Sequence, residues 1–184
     1  MKRIVLTFGL LAGAILSAMM FITLPFQEKI GFDKGAIIGY TTMVAAFLMI
    51  FFGVRAYRDN VIGGSIAFGR AFGVGLMIML IASACYVASW EFINYKLAPD
   101  FAKRYAEHVI EDARASGASQ AELDRQVKKM EDFQRMYANP LVNVAFTFLE
   151  PLPVGLVLTL VSAGILSRRR RESLAHGAQA PSMS

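Results

Sequence analysis

The sequence predicts an all-α membrane protein: four transmembrane helices, with an extramembrane helical hairpin between the third and the fourth. Three observations predict it. Four apolar runs, Ile4–Leu24, Gly35–Val54, Ala71–Ile93 and Leu141–Leu166, are each at least 20 residues long. At 1.5 Å rise per residue, roughly 20 residues cross a ~30 Å hydrocarbon core. Each run is apolar all round rather than along one stripe, and a chain of 184 residues cannot build a soluble core large enough to bury four such helices. The charges fall in the gaps between the runs, chiefly in 94–140.

Composition agrees. Hydrophobic residues make up 55% and charged residues 18% of the chain, against about 25% charged in a typical soluble protein. The mean hydropathy is +0.47. A net charge of +5 could suit nucleic acid, but its location argues against that partner. Lys2, Arg3, Arg55, Arg58, Arg70 and Arg168 to Arg171 all hug the ends of apolar runs, as topology signals and lipid-headgroup contacts do. The single cysteine, Cys85, lies inside the third run, so no intramolecular disulfide shapes the fold.

The first run starts with Met1-Lys2-Arg3 and continues through the bulky Met19-Met20-Phe21-Ile22. A signal peptide has a shorter apolar region that ends in small residues, so an uncleaved first helix is expected. Four spans place both termini on one side. The nine basic residues of 1–3, 55–70 and 167–184 all sit near span ends, whereas most of those in 94–140 lie in a long stretch of mixed charge. The positive-inside rule weights the former. Both termini are therefore expected in the cytoplasm, with the protein in a bacterial inner membrane.

Between the second and third spans, Arg55–Arg70 reads as a loop, with Asn60 and Gly63-Gly64 as turn signals and Ser65 to Arg70 as the beginning of the third helix. The hairpin, 95–139, starts with Pro99 as a first helical residue and Asp100 in its first turn. Gly117 should stop its first helix. Ser119-Gln120-Ala121-Glu122 has capping-box spacing and should start its second. Asn139-Pro140 either ends that helix or starts the next. Residues 1–171 form the transmembrane domain, hairpin included, and the tail 172–184, rich in Ser, Gly, Ala and Pro, is expected to be disordered.

Small residues recur at helical spacing in every span: Gly9, Gly13 and Ser17; Gly35 and Gly39; Gly69 and Gly73; Gly155, Thr159 and Ala163. Such stripes let helices approach closely, either within one bundle or in a homo-oligomer.

Two ionisable residues stand out. Glu150 lies within the fourth run, followed by Pro151 and Pro153. An ionisable residue in a span is a functional hypothesis by default. Each proline removes a backbone donor, so the helix either kinks there or restarts. Glu91 follows Trp90 at the end of the third run, where Trp suits the interfacial aromatic belt. Counting along the spans puts Glu91 and Glu150 at similar depth, near the hairpin end. They form either a rim site for a cation, a proton or a basic partner, or two ordinary interfacial acids. Glu91, Glu150, Pro151 and Pro153 are the candidate functional residues.

No catalytic constellation emerges: there is no GxSxG, HExxH or phosphate-binding loop. His108 shares a helix face with Glu111 or Asp112, but two ligands are a weak metal signal. No enzyme activity, cofactor or metal is expected. The partners expected are the lipid bilayer, a protein at the hairpin and a second copy of the chain.

Three stretches carry a resemblance: Gly63-Gly64-Ser65-Ile66-Ala67-Phe68-Gly69-Arg70-Ala71-Phe72-Gly73-Val74-Gly75; the hairpin after Ala98-Pro99-Asp100-Phe101; and Glu150-Pro151-Leu152-Pro153-Val154-Gly155 through Leu160-Val161-Ser162-Ala163 to Arg168–Arg171. With four spans in this order, the chain resembles a bacterial membrane family catalogued as domain of unknown function forty-one ninety-nine. The resemblance implies the four-helix architecture and the long segment before the last span. It implies no activity, cofactor or catalytic residue. The functional expectation is a non-enzymatic accessory or interaction component; the alternative is a small proton- or cation-coupled transporter using Glu150.

Overall fold

A computed structural model describes residues 1–178, all of whose regular elements are helical. Four helical segments are long and apolar enough to cross a membrane: Lys2–Phe26, Phe32–Ile62, Phe68–Leu97 and Pro140–Ser167. Their cores are α1 (Lys2–Thr23), α2 (Phe32–Tyr57), α3 (Phe68–Phe92) and, for the fourth span, α6 (Pro140–Leu149) followed by α7 (Leu152–Ala178). The hairpin is α4 (Phe101–Ala115) packed on α5 (Gln120–Tyr137).

The first span packs on the second and third, and α7 packs on the same two. Phe47, Ile50, Val74 and Ile78, all fully buried, fill the centre. The stripe in the first span is a packing seam against the third. A Cβ at Gly9 would stand 2.8 Å from Ile81 Cβ, and one at Gly13 2.6 Å from Cys85 Cβ. Farther along, Ser89 Oγ donates to Ser17 Oγ at 2.7 Å. Gly155 sits equally close to Met79. Backbone contact at this range is what small residues permit.

Other stripes are not seams. A Cβ at Gly35, Gly39, Gly69 or Gly73 would meet nothing within 4 Å. The pattern shows where helices could approach, not where they do.

Several boundaries differ from expectation. The region Arg55–Arg70 is largely helical: α2 runs on through a π-helical turn, Arg58–Ile62, and only 63–67 connects it to α3. The wide turn keeps the backbone bonded until Gly63 and Gly64, at φ 84° and 103°, reverse the chain. Arg58 is buried there, its Nε 2.6 Å from Asp59 Oδ1. Pro99 precedes the hairpin helix instead of starting it. Asp100 occupies the cap position without capping, and its carboxylate pairs with Arg104 Nε at 3.2 Å. The α7 helix runs on to Ala178, into the tail that starts at 172. Residues 179–184 lie outside the described residues.

The capping box is formed as its spacing predicts. Glu122 N–H donates to Ser119 Oγ at 3.4 Å, and Ser119 N–H donates to Glu122 Oε2 at 2.9 Å. Asn139 and Pro140 start a helix: Asn139 Oδ1 accepts from Leu141 N–H at 3.0 Å, with Pro140 in the first turn.

Candidate functional site: a chamber beneath the hairpin

The fourth span breaks where its prolines predict. Turn residues Glu150 and Pro151 separate α6 from α7. A proline at 151 cannot donate to Thr147, and Glu150 N–H makes the last bond of α6, to Phe146 O at 3.2 Å. Pro151 is fully buried and Pro153 exposed, so Pro151 is the residue at the packed hinge. The break changes the span's neighbours. Below it, α7 packs on α2 and α3; above it, α6 packs on α3 and α5 rather than on α2.

The space left between α2 and α6 is a chamber of about 510 Å³. Its floor carries Glu150, Tyr86 and Thr147; one wall is Gly31, Gly35, Ala36 and Gly39; its roof is Trp90 with hairpin aromatics. A smaller annex of about 70 Å³ shares Gly35, Gly39 and Tyr86 and extends toward Met43. Gly35 and Gly39 shape the chamber by what they lack: side chains on them would occupy this volume. Gly31, at φ 76°, turns the chain into α2, a conformation that favours glycine.

Glu150 is tied across the floor. Tyr86 Oη donates to Glu150 Oε2 at 2.8 Å. Tyr86 is buried, whereas the carboxylate keeps an accessible edge. A polar line continues along α6, where Thr147 Oγ1 donates to Asn143 Oδ1 at 3.3 Å. Tyr86 carries no sequence signal, because a tyrosine in an apolar run reads as core.

The roof is a chain of rings. Trp90 meets Phe101 edge-on at 4.7 Å, Phe133 lies 5.2 Å from Tyr137 and 5.7 Å from Tyr105, and Phe32 stands edge-on to Tyr105 at 5.5 Å. Trp90 therefore turns inward instead of lying in a lipid-facing belt, and its Nε1–H donates to Tyr137 Oη at 2.7 Å. Burial pushes the Tyr137 phenol up to about 12; the Trp90 bond opposes this, and the Glu91 and Glu150 carboxylates add to it.

Glu91 and Glu150 read either as a shared rim site or as two separate interfacial acids; the chamber lining does not bring the pair into one cavity. Glu150 lines the chamber and Glu91 does not. Glu91 is half-buried, with Oε1 shielded and without a hydrogen-bond partner among the described residues. Both carboxylates nonetheless act on the Tyr137 phenol. A count along each helix gives position along the span, but facing depends on helix rotation, which a residue count does not carry.

The chamber is open on one side. Tyr40 of the second span and Phe146 of the fourth belong to its wall, and both are about half exposed, at 48% and 47%. A volume of this size with mostly apolar and aromatic walls and a few convergent polar groups is the usual form of a small-molecule site.

These features define a multi-pass helical membrane protein with a hairpin-roofed chamber at one end of its bundle. The chain belongs to the family described as protein of unknown function (DUF4199), which matches residues 7–168. No curated protein and no solved structure matches it.

Proposed function

We propose that this protein is a non-enzymatic accessory component of a bacterial inner membrane, with both termini cytoplasmic, that holds an amphipathic molecule with a cationic head in its chamber. The hairpin then lies outside the membrane and presents its upper surface to a protein partner. The observation that carries this reading is the Tyr86–Glu150 pair at the floor of an aromatic-walled cavity. A carboxylate held by one neutral donor can accept further hydrogen bonds from an ammonium group. Aromatic faces add cation–π attraction, strongest where water is excluded. The half-exposed Tyr40 and Phe146 in the chamber wall support arrival from the bilayer, where the apolar body of such a molecule already resides.

The transporter alternative rests on the same Glu150 and the same helix break, and broken helices occur at transporter sites. The close packing below the floor favours holding over passage. Gly75 there approaches both Thr159 and Ile50, and Gly155 approaches Met79.

The test is equilibrium binding of a fluorescent long-chain alkylammonium, with a neutral alcohol of equal chain length as control, to the full chain in nonionic detergent. Wild-type protein should prefer the ammonium. Glu150→Gln should abolish the preference, and Gly39→Leu should weaken both probes while leaving the helical content intact. Equal binding of both probes to wild type, or no effect of Gly39→Leu, would overturn the proposal. Flux of the alkylammonium in proteoliposomes that depends on Glu150 would favour the transporter.

A further inference from the structure

Outside the chamber, three metal-ligating side chains from distant parts of the sequence meet at the edge of its roof. Asp33 lies in the first turn of α2, and His108 and Asp112 lie one helical turn apart on α4. Their ligand atoms all fall within 4.8 Å of one another. His108 Nε2 stands 3.1 Å from Asp112 Oδ2 and 4.0 Å from Asp33 Oδ1. Sequence spacing supplied the His108–Asp112 half alone. The third ligand is separated from it by more than one whole span.

We propose that Asp33, His108 and Asp112 form a zinc-type divalent-cation site that ties the hairpin to the start of the second span. Two features beyond the proximity point to an ion. The first is the imidazole itself. Its Nε2 is shielded from solvent yet makes no hydrogen bond of acceptable geometry among the described residues, despite a carboxylate oxygen at 3.1 Å. A nitrogen with two carboxylate oxygens within 4.0 Å and a hydrogen bond to neither suits a shared cation better than a pairwise hydrogen bond. The second is that the ring is held in place. His108 stacks on Phe32 at 5.0 Å and 30°, and Phe32 is itself fixed edge-on against Phe101 at 5.8 Å. An oriented imidazole loses little freedom on ligation.

The dimensions fit. Zinc binds His nitrogen and carboxylate oxygen at roughly 2.0–2.2 Å in tetrahedral geometry, which puts neighbouring ligand atoms about 3.4 Å apart. One edge of the triangle, at 3.1 Å, is already close to that length. The others close by rotation of the Asp33 and Asp112 side chains, which are 85% and 59% exposed and otherwise free to move. Water completes the shell. Mixed nitrogen and oxygen donors favour zinc over calcium or magnesium, which prefer oxygen alone.

Phe32 also lines the chamber. An ion beside it fixes the roof against α2 at the point where the chamber wall begins, so metal binding and roof closure are coupled.

The experiment is calorimetric titration of tag-free, metal-stripped full chain in nonionic detergent with zinc alone, with cobalt absorption as a second readout. One zinc per chain is expected, with a rise in thermal stability on loading. Asp33→Asn and His108→Ala should each weaken binding by at least about tenfold, and His176→Ala should leave it unchanged. Circular dichroism on each variant reports that the helices persist, and Asp112→Asn provides a third ligand deletion should one variant fold poorly. Absence of zinc binding would overturn the proposal. So would binding lost in His108→Ala but untouched in Asp33→Asn, which would reduce the site to a pair on one helix face.

Discussion

Tyr86 and Glu150 are 64 residues apart in sequence and joined by a 2.8 Å hydrogen bond that closes the floor of the chamber. The bond joins the third span to the fourth at the level where the fourth is broken by Pro151. Helix break, cavity and polar anchor are one feature: the break moves α6 away from α2, the space opens, and the carboxylate freed at the break is held by the nearest phenol.

Tyr86→Phe removes the donor and leaves the carboxylate without its partner. A hydrogen bond to a charged group contributes about 1.5–3 kcal/mol, and the accessible edge of Glu150 puts the expected loss near the lower end. Glu150→Gln keeps an acceptor for Tyr86 and should be close to neutral. Unfolding of both variants by SDS titration in mixed micelles measures this; equal losses would contradict it.

Glycine substitutions separate seam from open wall. Gly13→Ala places a methyl 2.6 Å from Cys85 Cβ, an atom too close to the backbone to swing aside, and overpacking of this kind costs about 1–3 kcal/mol. Gly73→Ala meets nothing and should be neutral or slightly stabilising, since alanine is the better helix former by about 1 kcal/mol. Thermal midpoints of the two variants should move in opposite directions or differ by several degrees.

Two hydrogen bonds from Ser119, through its side chain and its backbone, hold the Glu122 carboxyl below the usual carboxylate range. A depressed folded value means that its contribution is present above the ordinary glutamate range and is lost as pH falls through the folded value. Protection factors of the amides at the start of α5, taken relative to the intrinsic exchange rate at each pH, should therefore fall as the solution is acidified below that range, and Glu122→Gln should flatten the dependence. Ser119→Ala should cost the hairpin about 1 kcal/mol.

Tyr137 has the opposite sense. Its phenol is pushed up to about 12 by burial, so the folded state favours the neutral form. That contribution is complete below the ordinary value of 10.0 and is lost as pH rises toward 12. Tyrosinate absorbance should show one phenol, absent in Tyr137→Phe, that ionises well after the exposed tyrosines. Trp90→Phe removes a donor that favours the phenolate, and should move the Tyr137 transition still higher.

The spans were legible because membrane thickness imposes length and composition on every residue of a run. The start of the fourth span at Asn139-Pro140, the Ser119–Glu122 cap and the stop at Gly117 were legible because each is local chemistry. The chamber was not. Its lining comes from every span and both hairpin helices, and its two most informative wall positions, Gly35 and Gly39, read as a packing stripe because sequence shows the absence of a side chain but not what stands opposite. Tyr86 and Asp33 escaped for the same reason: each acquires a role only through a partner many tens of residues away. Glu150 and Pro151 were found because a charge and a proline are both costly inside a span.

The central claim is that the chamber admits an amphipathic cation from the bilayer to Glu150, past the half-exposed Tyr40 and Phe146. Photocrosslinking of native membranes with a photoreactive alkylammonium, followed by peptide mapping, tests it most directly. Labels should concentrate on the segments carrying Tyr40, Trp90 and Phe146, and should fall away in Gly39→Leu. Labelling spread evenly over exposed apolar positions such as Leu6, Leu10 and Leu160, and unchanged by Gly39→Leu, would contradict it.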